Sequence, residues 1–205
     1  MRPSPVYNVI AVLSWPVLYG LFRLRVRGRE NLPAGGGGYV LACNHVSNLD
    51  PWLLGLPLWP RRFLRFMAKS ELYWFPLGAL ISRAGAFPVH RGRHDTAAIE
   101  TAVRLAREGN VIAMFPEGTR RAKGLVKRFE ARPRSGAARI ALEAGVPLVP
   151  AAVHGTDRLA RFARLHVAYG SPVELDDLRG RNVSEASRVA TERLMARIAE
   201  LEDSL

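Results

Sequence analysis

A chain of 205 residues can fold as one compact domain with a sizeable core, and 48% hydrophobic against 23% charged residues excludes a disordered or fibrous class. The formal net charge of +12, nearly all of it arginine, calls for an anionic partner: an anionic membrane, nucleic acid or an acidic carrier. The single cysteine, Cys43, excludes a disulfide framework and a cysteine-based zinc site and fits a reducing compartment.

The predicted elements begin with an uncharged, mostly apolar stretch from Val6 to Phe22, interrupted by Asn8 and Pro16. A spanning helix needs about 20 apolar residues, so this one is slightly short and bent by its proline. It reads as a helix lying in, or dipping into, one leaflet; packing on a soluble core is the alternative. No small-residue cleavage pattern follows, so a secretory signal is not expected. The strict alternation Phe22 to Arg27 predicts a half-buried strand with its arginines on one face. The glycine-rich loop Asn31 to Gly38 lacks the Gly-Lys-Ser/Thr of a P-loop.

Tyr39 to Cys43 predicts a buried strand, and Asp50-Pro51 opens a short helix, with proline at the first helical position. Phe63 to Ala68 is a further strand. Ser70 to Ile81, rich in aromatic residues, reads as helical, its part from Leu72 to Ile81 as either the lining of an apolar channel or core. Ala86 to Val89 is a short strand; Asp95 caps a helix that reaches Glu108 and stops at Gly109. The strand Val111 to Phe115 leads into Glu117. A helix from Ser135 to Ala144 ends at Gly145, strands Val146 to Val153 and Ala163 to Tyr169 follow, and an amphipathic helix from Ser184 to Leu201 closes the chain. Strands alternating with helices predict a single α/β domain with a central, mostly parallel or mixed sheet flanked by helices. The expected division is residues 1–22 as a membrane-associating helix and 23–205 as the α/β domain.

Two strings carry chemistry. In Asn44-His45-Val46-Ser47-Asn48-Leu49-Asp50, a histidine just past a strand precedes an aspartate by five residues. Imidazole is a base near neutral pH, and a carboxylate on its second nitrogen fixes the tautomer. Asp50 also suits helix N-capping. Cys43, two residues before His45, is a candidate nucleophile or a small core residue. The second string, Phe115-Pro116-Glu117-Gly118-Thr119-Arg120, also follows a strand. Its glycine lets backbone approach a ligand, and Arg120 can fork onto phosphate oxygens. The basic run from Arg120 to Arg134 suits anionic lipid, an acidic carrier or another phosphate-bearing partner. No helix-turn-helix, zinc-finger or RNA-binding signature accompanies the charge, so no nucleic-acid partner is expected. His90, His94, His154 and His166 form no metal-ligand cluster, and no metal is expected.

With Gly85-Ala86-Phe87-Pro88-Val89-His90-Arg91 and Val146-Pro147-Leu148-Val149-Pro150, these strings make four blocks in a fixed order. Together they resemble the glycerolipid acyltransferase family, and within it the lysophosphatidate acyltransferases (1-acylglycerol-3-phosphate O-acyltransferases). The resemblance runs from about Gly28 to Gly155. His90 stands where the family often has aspartate, Arg121 where serine is common, and Arg134-Ser135-Gly136 resembles a Lys-x-Gly element. The resemblance implies an enzyme at the cytoplasmic face of a membrane, peripheral or monotopic. It implies transfer of a fatty acyl group from a coenzyme A or acyl carrier protein thioester to the free hydroxyl of a lysophospholipid acceptor, lysophosphatidate, without a cofactor. His45 and Asp50 become the catalytic pair, and Arg91, Glu117, Gly118, Thr119 and Arg120 the substrate-binding set. His90 and His154 border the blocks and are expected mainly to make structural hydrogen bonds. The alternatives are another lysophospholipid acceptor, or a basic, non-catalytic membrane- or nucleic-acid-binding protein.

Overall fold

A computed structural model describes residues 3–90, 96–118 and 133–205. Its strands are β1 (Arg25–Arg27), β2 (Tyr39–Cys43), β3 (Leu64–Lys69), β4 (Ala86–Val89), β5 (Val111–Met114), β6 (Leu148–His154) and β7 (His166–Tyr169). They form one seven-stranded sheet in the order β1-β7-β6-β2-β5-β3-β4. The five from β6 to β4 run parallel. β7 is antiparallel to β6, and β1 parallel to β7, so the sheet is mixed. Every residue of β2 is buried, as expected of a central parallel strand covered on both faces.

The helices are α1 (Pro5–Pro16), α2 (Asp50–Gly55), α3 (Leu77–Arg83), α4 (Thr96–Arg107), α5 (Gly136–Ala144) and α6 (Val183–Asp203). Alternation along the strands sorts the core into two layers. Leu41, Cys43, Val111 and Val149 face α1 and α2 with Leu53 and Leu54. Val40, Ala42, Ile112 and Leu148 face α4, α5 and α6 through Ala102, Ile140 and Leu194. The C-terminal ends of β2, β3, β4, β5 and β6 therefore share one edge, where ligands of open α/β sheets gather.

The expected N-terminal helix divides at its proline: α1 ends at Pro16 and a π-helical turn, Val17–Leu21, continues it. Tyr7 and Ala11 are buried, and the indole N–H groups of Trp52 and Trp59 donate to Ser14 Oγ and Asn8 Oδ1, both at 2.9 Å. Its other face leaves Val9, Val12, Leu13 and Trp15 exposed. Among the described residues no helix is long and apolar enough to cross a membrane. β1 is shorter than the alternation suggests, but Arg25 and Arg27 are exposed on either side of a half-buried Val26, as predicted.

One predicted helix is displaced. Ser70 to Leu72 makes a single 3₁₀ turn, and α3 begins only at Leu77. Pro76 accounts for this: it disfavours α geometry at Phe75 and offers no N–H to a preceding turn. Trp74 and Phe75 consequently lie outside any helix, exposed at 60% and 87%, and are not part of the core. Gly145 ends α5 as expected, at φ +69°. The predicted cap Asp95 lies outside the described residues.

Candidate active site

At the end of β2 the side chain of Asn44 replaces the ladder. Its Nδ2 donates to the Val153 carbonyl (3.0 Å) and its Oδ1 accepts from the Val153 N–H (2.8 Å), which stitches the emerging chain to β6. Asn44 Nδ2 also donates to Glu202 Oε1 at 2.7 Å, so the last turns of α6 brace the same point. The next residue, His45, is thereby held at the C-terminal edge of the sheet, 8% exposed.

His45 Nδ1 lies 2.9 Å from Asp50 Oδ2. The same oxygen accepts from the N–H groups of Val46 (2.6 Å) and Ser47 (2.7 Å), and Oδ1 accepts from Thr156 Oγ1–H at 2.7 Å. Three fixed donors and His45 Nδ1 converge on a carboxylate with no exposed surface. An acceptor-only carboxylate fits this set, which puts the imidazole proton on Nδ1 and leaves Nε2 as the acceptor. The N-capping alternative for Asp50 is not realised: Asp50 is the first residue of α2, and its carboxylate turns back to the preceding loop. Phe115 stacks on the imidazole, centroids 4.2 Å apart and planes 26° apart, and fixes the ring from its face.

His45 opens on a cleft of about 650 Å³ walled by Met67, Ile99, Phe115, Gly118 and Arg134. Glu117, 5% exposed, and Gly118, at φ +67°, form the turn after β5. A Cβ on Gly118 would come within 2.8 Å of Arg134 Nε, so glycine is what lets the guanidinium lie against this turn. The Arg134 N–H donates to the Pro116 carbonyl at 2.8 Å, which ties the start of the α5 segment to the same turn. A larger cleft of about 890 Å³, beside Arg29, Arg61 and Arg62, lies at the opposite edge and includes none of these residues.

Of the expected site residues, the fold brings His45, Asp50, Glu117 and Gly118 together; Arg91, Thr119 and Arg120 lie outside the described residues, as does most of the basic run between Arg120 and Arg134. His90 lines the cleft. His154 does not: it is exposed, its ring 6.3 Å from that of His166 across the β6–β7 pair. Cys43 is fully buried in the layer beneath α1 and α2, with Sγ 3.2 Å from Asn44 Oδ1, and is not presented to the cleft. Sequence reasoning gave no role to Asn44, Phe115 or Thr156. Thr156 lies 106 residues from Asp50; its one signal was its place just past the strand of the fourth block. Among the described residues no cluster of three or more His, Cys, Asp or Glu side chains could hold a metal.

A family model described as Acyltransferase matches residues 23–154. The chain is similar to the 1-acyl-sn-glycerol-3-phosphate acyltransferase of Bacillus subtilis (strain 168), at 34% identity over 189 residues and 89% of each protein. It is also similar to a chloroplastic 1-acyl-sn-glycerol-3-phosphate acyltransferase of Brassica napus, at 30% identity over 69% of this chain and 40% of that one. Among solved structures, the 1-acyl-sn-glycerophosphate (LPA) acyltransferase PlsC of Thermotoga maritima shares the fold, with a TM-score of 0.67 at 23% identity over 96% of this chain and 79% of that one. The chain belongs to the acyltransferase family.

Proposed function

We propose that this chain moves a fatty acyl group from a thioester to the free hydroxyl of lysophosphatidate, giving phosphatidate, with His45 as general base. The observation that carries the reading is the His45–Asp50 pair, 2.9 Å apart, with the free imidazole edge turned to a cleft. The names of the relatives supply the acceptor. Nε2 takes the hydroxyl proton as the oxygen attacks the thioester carbonyl. The tetrahedral intermediate then expels the thiolate as the C–S bond breaks, and the imidazolium returns the proton to sulfur. Asp50 holds the Nδ1 tautomer and balances the passing positive charge. Direct transfer fits the burial of Cys43, which would otherwise be the candidate for a covalent acyl-enzyme.

Gly118 lines the cleft on the side assigned to the acceptor, with Glu117 beside it in the same turn, and Arg134 joins Arg91 and Arg120 as a candidate for the acceptor phosphate. Thr119 completes that string. Coenzyme A and acyl carrier protein are both acidic donors suited to the basic surface. The exposed apolar face of α1 supports attachment to the cytoplasmic face of a membrane as a peripheral or monotopic protein, residues 1–22 serving as the anchor and 23–205 as the catalytic domain. The test varies the head group against one acyl thioester. Turnover of lysophosphatidate well above that of lysophosphatidylcholine and lysophosphatidylglycerol supports a phosphomonoester site; equal turnover reassigns the acceptor.

A further inference from the structure

The exposed large apolar side chains of the described residues are not scattered. Apart from Val183, all fall within residues 9–21, within residues 72–80, or at Phe162. The first of these segments is the α1 anchor proposed above. The other two come from different parts of the chain, yet topology brings both to the edge that carries His45. β3 runs parallel to β5, so the segment that leaves it at Ser70 emerges where β2 and β5 end. Phe162 follows β6, in the same connection as Thr156, which bonds Asp50. Trp74 and Phe75 thus stand on the β3 side of the site and Phe162 on the β6 side. At the His45 edge α1 meets Phe162, on which Phe22, just past the π turn, stacks at 6.0 Å, while at the opposite edge Ser4 Oγ–H donates to the Arg83 carbonyl (2.5 Å), where α3 returns to the start of β4.

The charge around Phe162 has one sign in excess. Arg23, Arg158, Arg161 and Arg164 lie near Phe162 in sequence or contact, against Asp157, which pairs with Arg158. On the Trp74 side Lys69 pairs with Glu71, and Arg83 lies at the far end of α3. Exposed aromatic tips with a cation-rich flank at Phe162 are the pattern of an interfacial membrane contact with anionic lipid. Phe75, 87% exposed, has no packing role in the domain to explain it. We propose that Trp74 and Phe75 form a second bilayer anchor, remote in sequence from α1, which with Phe162 sets the His45 edge of the sheet against an anionic phospholipid surface. This inference rests on the membrane reading of α1. An acceptor lipid would then reach His45 from the bilayer without crossing bulk water.

The test is flotation of the full chain with vesicles of phosphatidylcholine containing one quarter phosphatidylglycerol. It compares wild type, Trp74→Ser/Phe75→Ser and Val9→Ser/Leu13→Ser. All four side chains are mostly exposed, so thermal unfolding of both variants should match wild type and confirm the fold. The expected result is partitioning at least about tenfold weaker for Trp74→Ser/Phe75→Ser, with a comparable loss for Val9→Ser/Leu13→Ser. Wild-type binding that Trp74→Ser/Phe75→Ser leaves intact would overturn the second anchor and leave α1 as the contact. A wild type that does not float would overturn both readings. Concentration-dependent dimerisation lost in Trp74→Ser/Phe75→Ser, with unchanged flotation, would assign the tips to a second copy and overturn the proposal.

Discussion

Thr156→Val removes one hydroxyl and keeps the shape, at a point where water cannot substitute. Oγ1–H donates to Asp50 Oδ1 at 2.7 Å, Thr156 is 3% exposed and Asp50 not at all. A hydrogen bond to a charged group contributes about 1.5–3 kcal/mol, and an unmet buried acceptor forfeits that amount. Were the loss felt in full in the transition state, it would correspond to roughly 10- to 100-fold in kcat, since about 1.4 kcal/mol is tenfold. Val46 and Ser47 still hold Oδ2, so the carboxylate can swing but not leave. The assay is steady-state acyl transfer to lysophosphatidate with wild type, Thr156→Val and Thr156→Ser. Thr156 orients Asp50 and touches no substrate, so kcat should fall in Thr156→Val while both KM values stay within about twofold. Thr156→Ser keeps the donor and should recover most of the rate. Equal losses in the two variants would place the effect in packing, and full activity in Thr156→Val would refute the positioning argument.

The remaining predictions concern the turn, the clamp and the β6–β7 edge. Gly118→Ala meets both a positive φ and a contact of 2.8 Å with Arg134; it should raise the KM for lysophosphatidate several-fold by displacing the guanidinium, at about 1–2 kcal/mol of folding stability read from denaturant midpoints. Asn44→Ala removes the side-chain partner of the buried Val153 N–H and carbonyl and one hydrogen bond to Glu202, and should destabilise by about 2–4 kcal/mol in the same measurement. His166 has its pKa lowered first by burial and then by His154, Arg25, Arg164 and Arg27. Its neutral form is therefore the one the fold favours. The associated stability is complete above the usual histidine value of about 6.5 and drains away as pH falls from there through the lowered folded value. His166→Gln should flatten this acid limb in denaturant melts between pH 7.5 and 5, and parallel acid limbs in both proteins would contradict the assignment.

Much of the frame was legible because it depends on local patterns. The apolar run Tyr39 to Cys43 is a buried strand since parallel strands covered on both faces need no alternation, and Gly145 ends α5 for want of a side chain at positive φ. The His45–Asp50 pairing was legible for the same reason, the two residues being close in sequence. What escaped was non-local or competitive. Thr156 completes the Asp50 shell only because β6 lies beside β2, a fact of strand order that no spacing encodes. Apolar and aromatic residues from Leu72 to Ile81 suggested a helix and a buried role, but Pro76 overrode the propensity and left Trp74 and Phe75 outside the core. Asp50 offered capping and orienting roles at once, and the direction of its carboxylate, set by the tight loop at Val46 and Ser47, decided between them.

The most direct test of the central claim is acyl transfer from a labelled acyl thioester to lysophosphatidate, comparing wild type with His45→Ala in vesicles or detergent. A wild type that forms phosphatidate, with His45→Ala still folded by circular dichroism and cooperative melting and slower by about 10²–10⁴-fold, is the predicted result. His45→Ala turning over at the wild-type rate would remove His45 as the base and contradict the account.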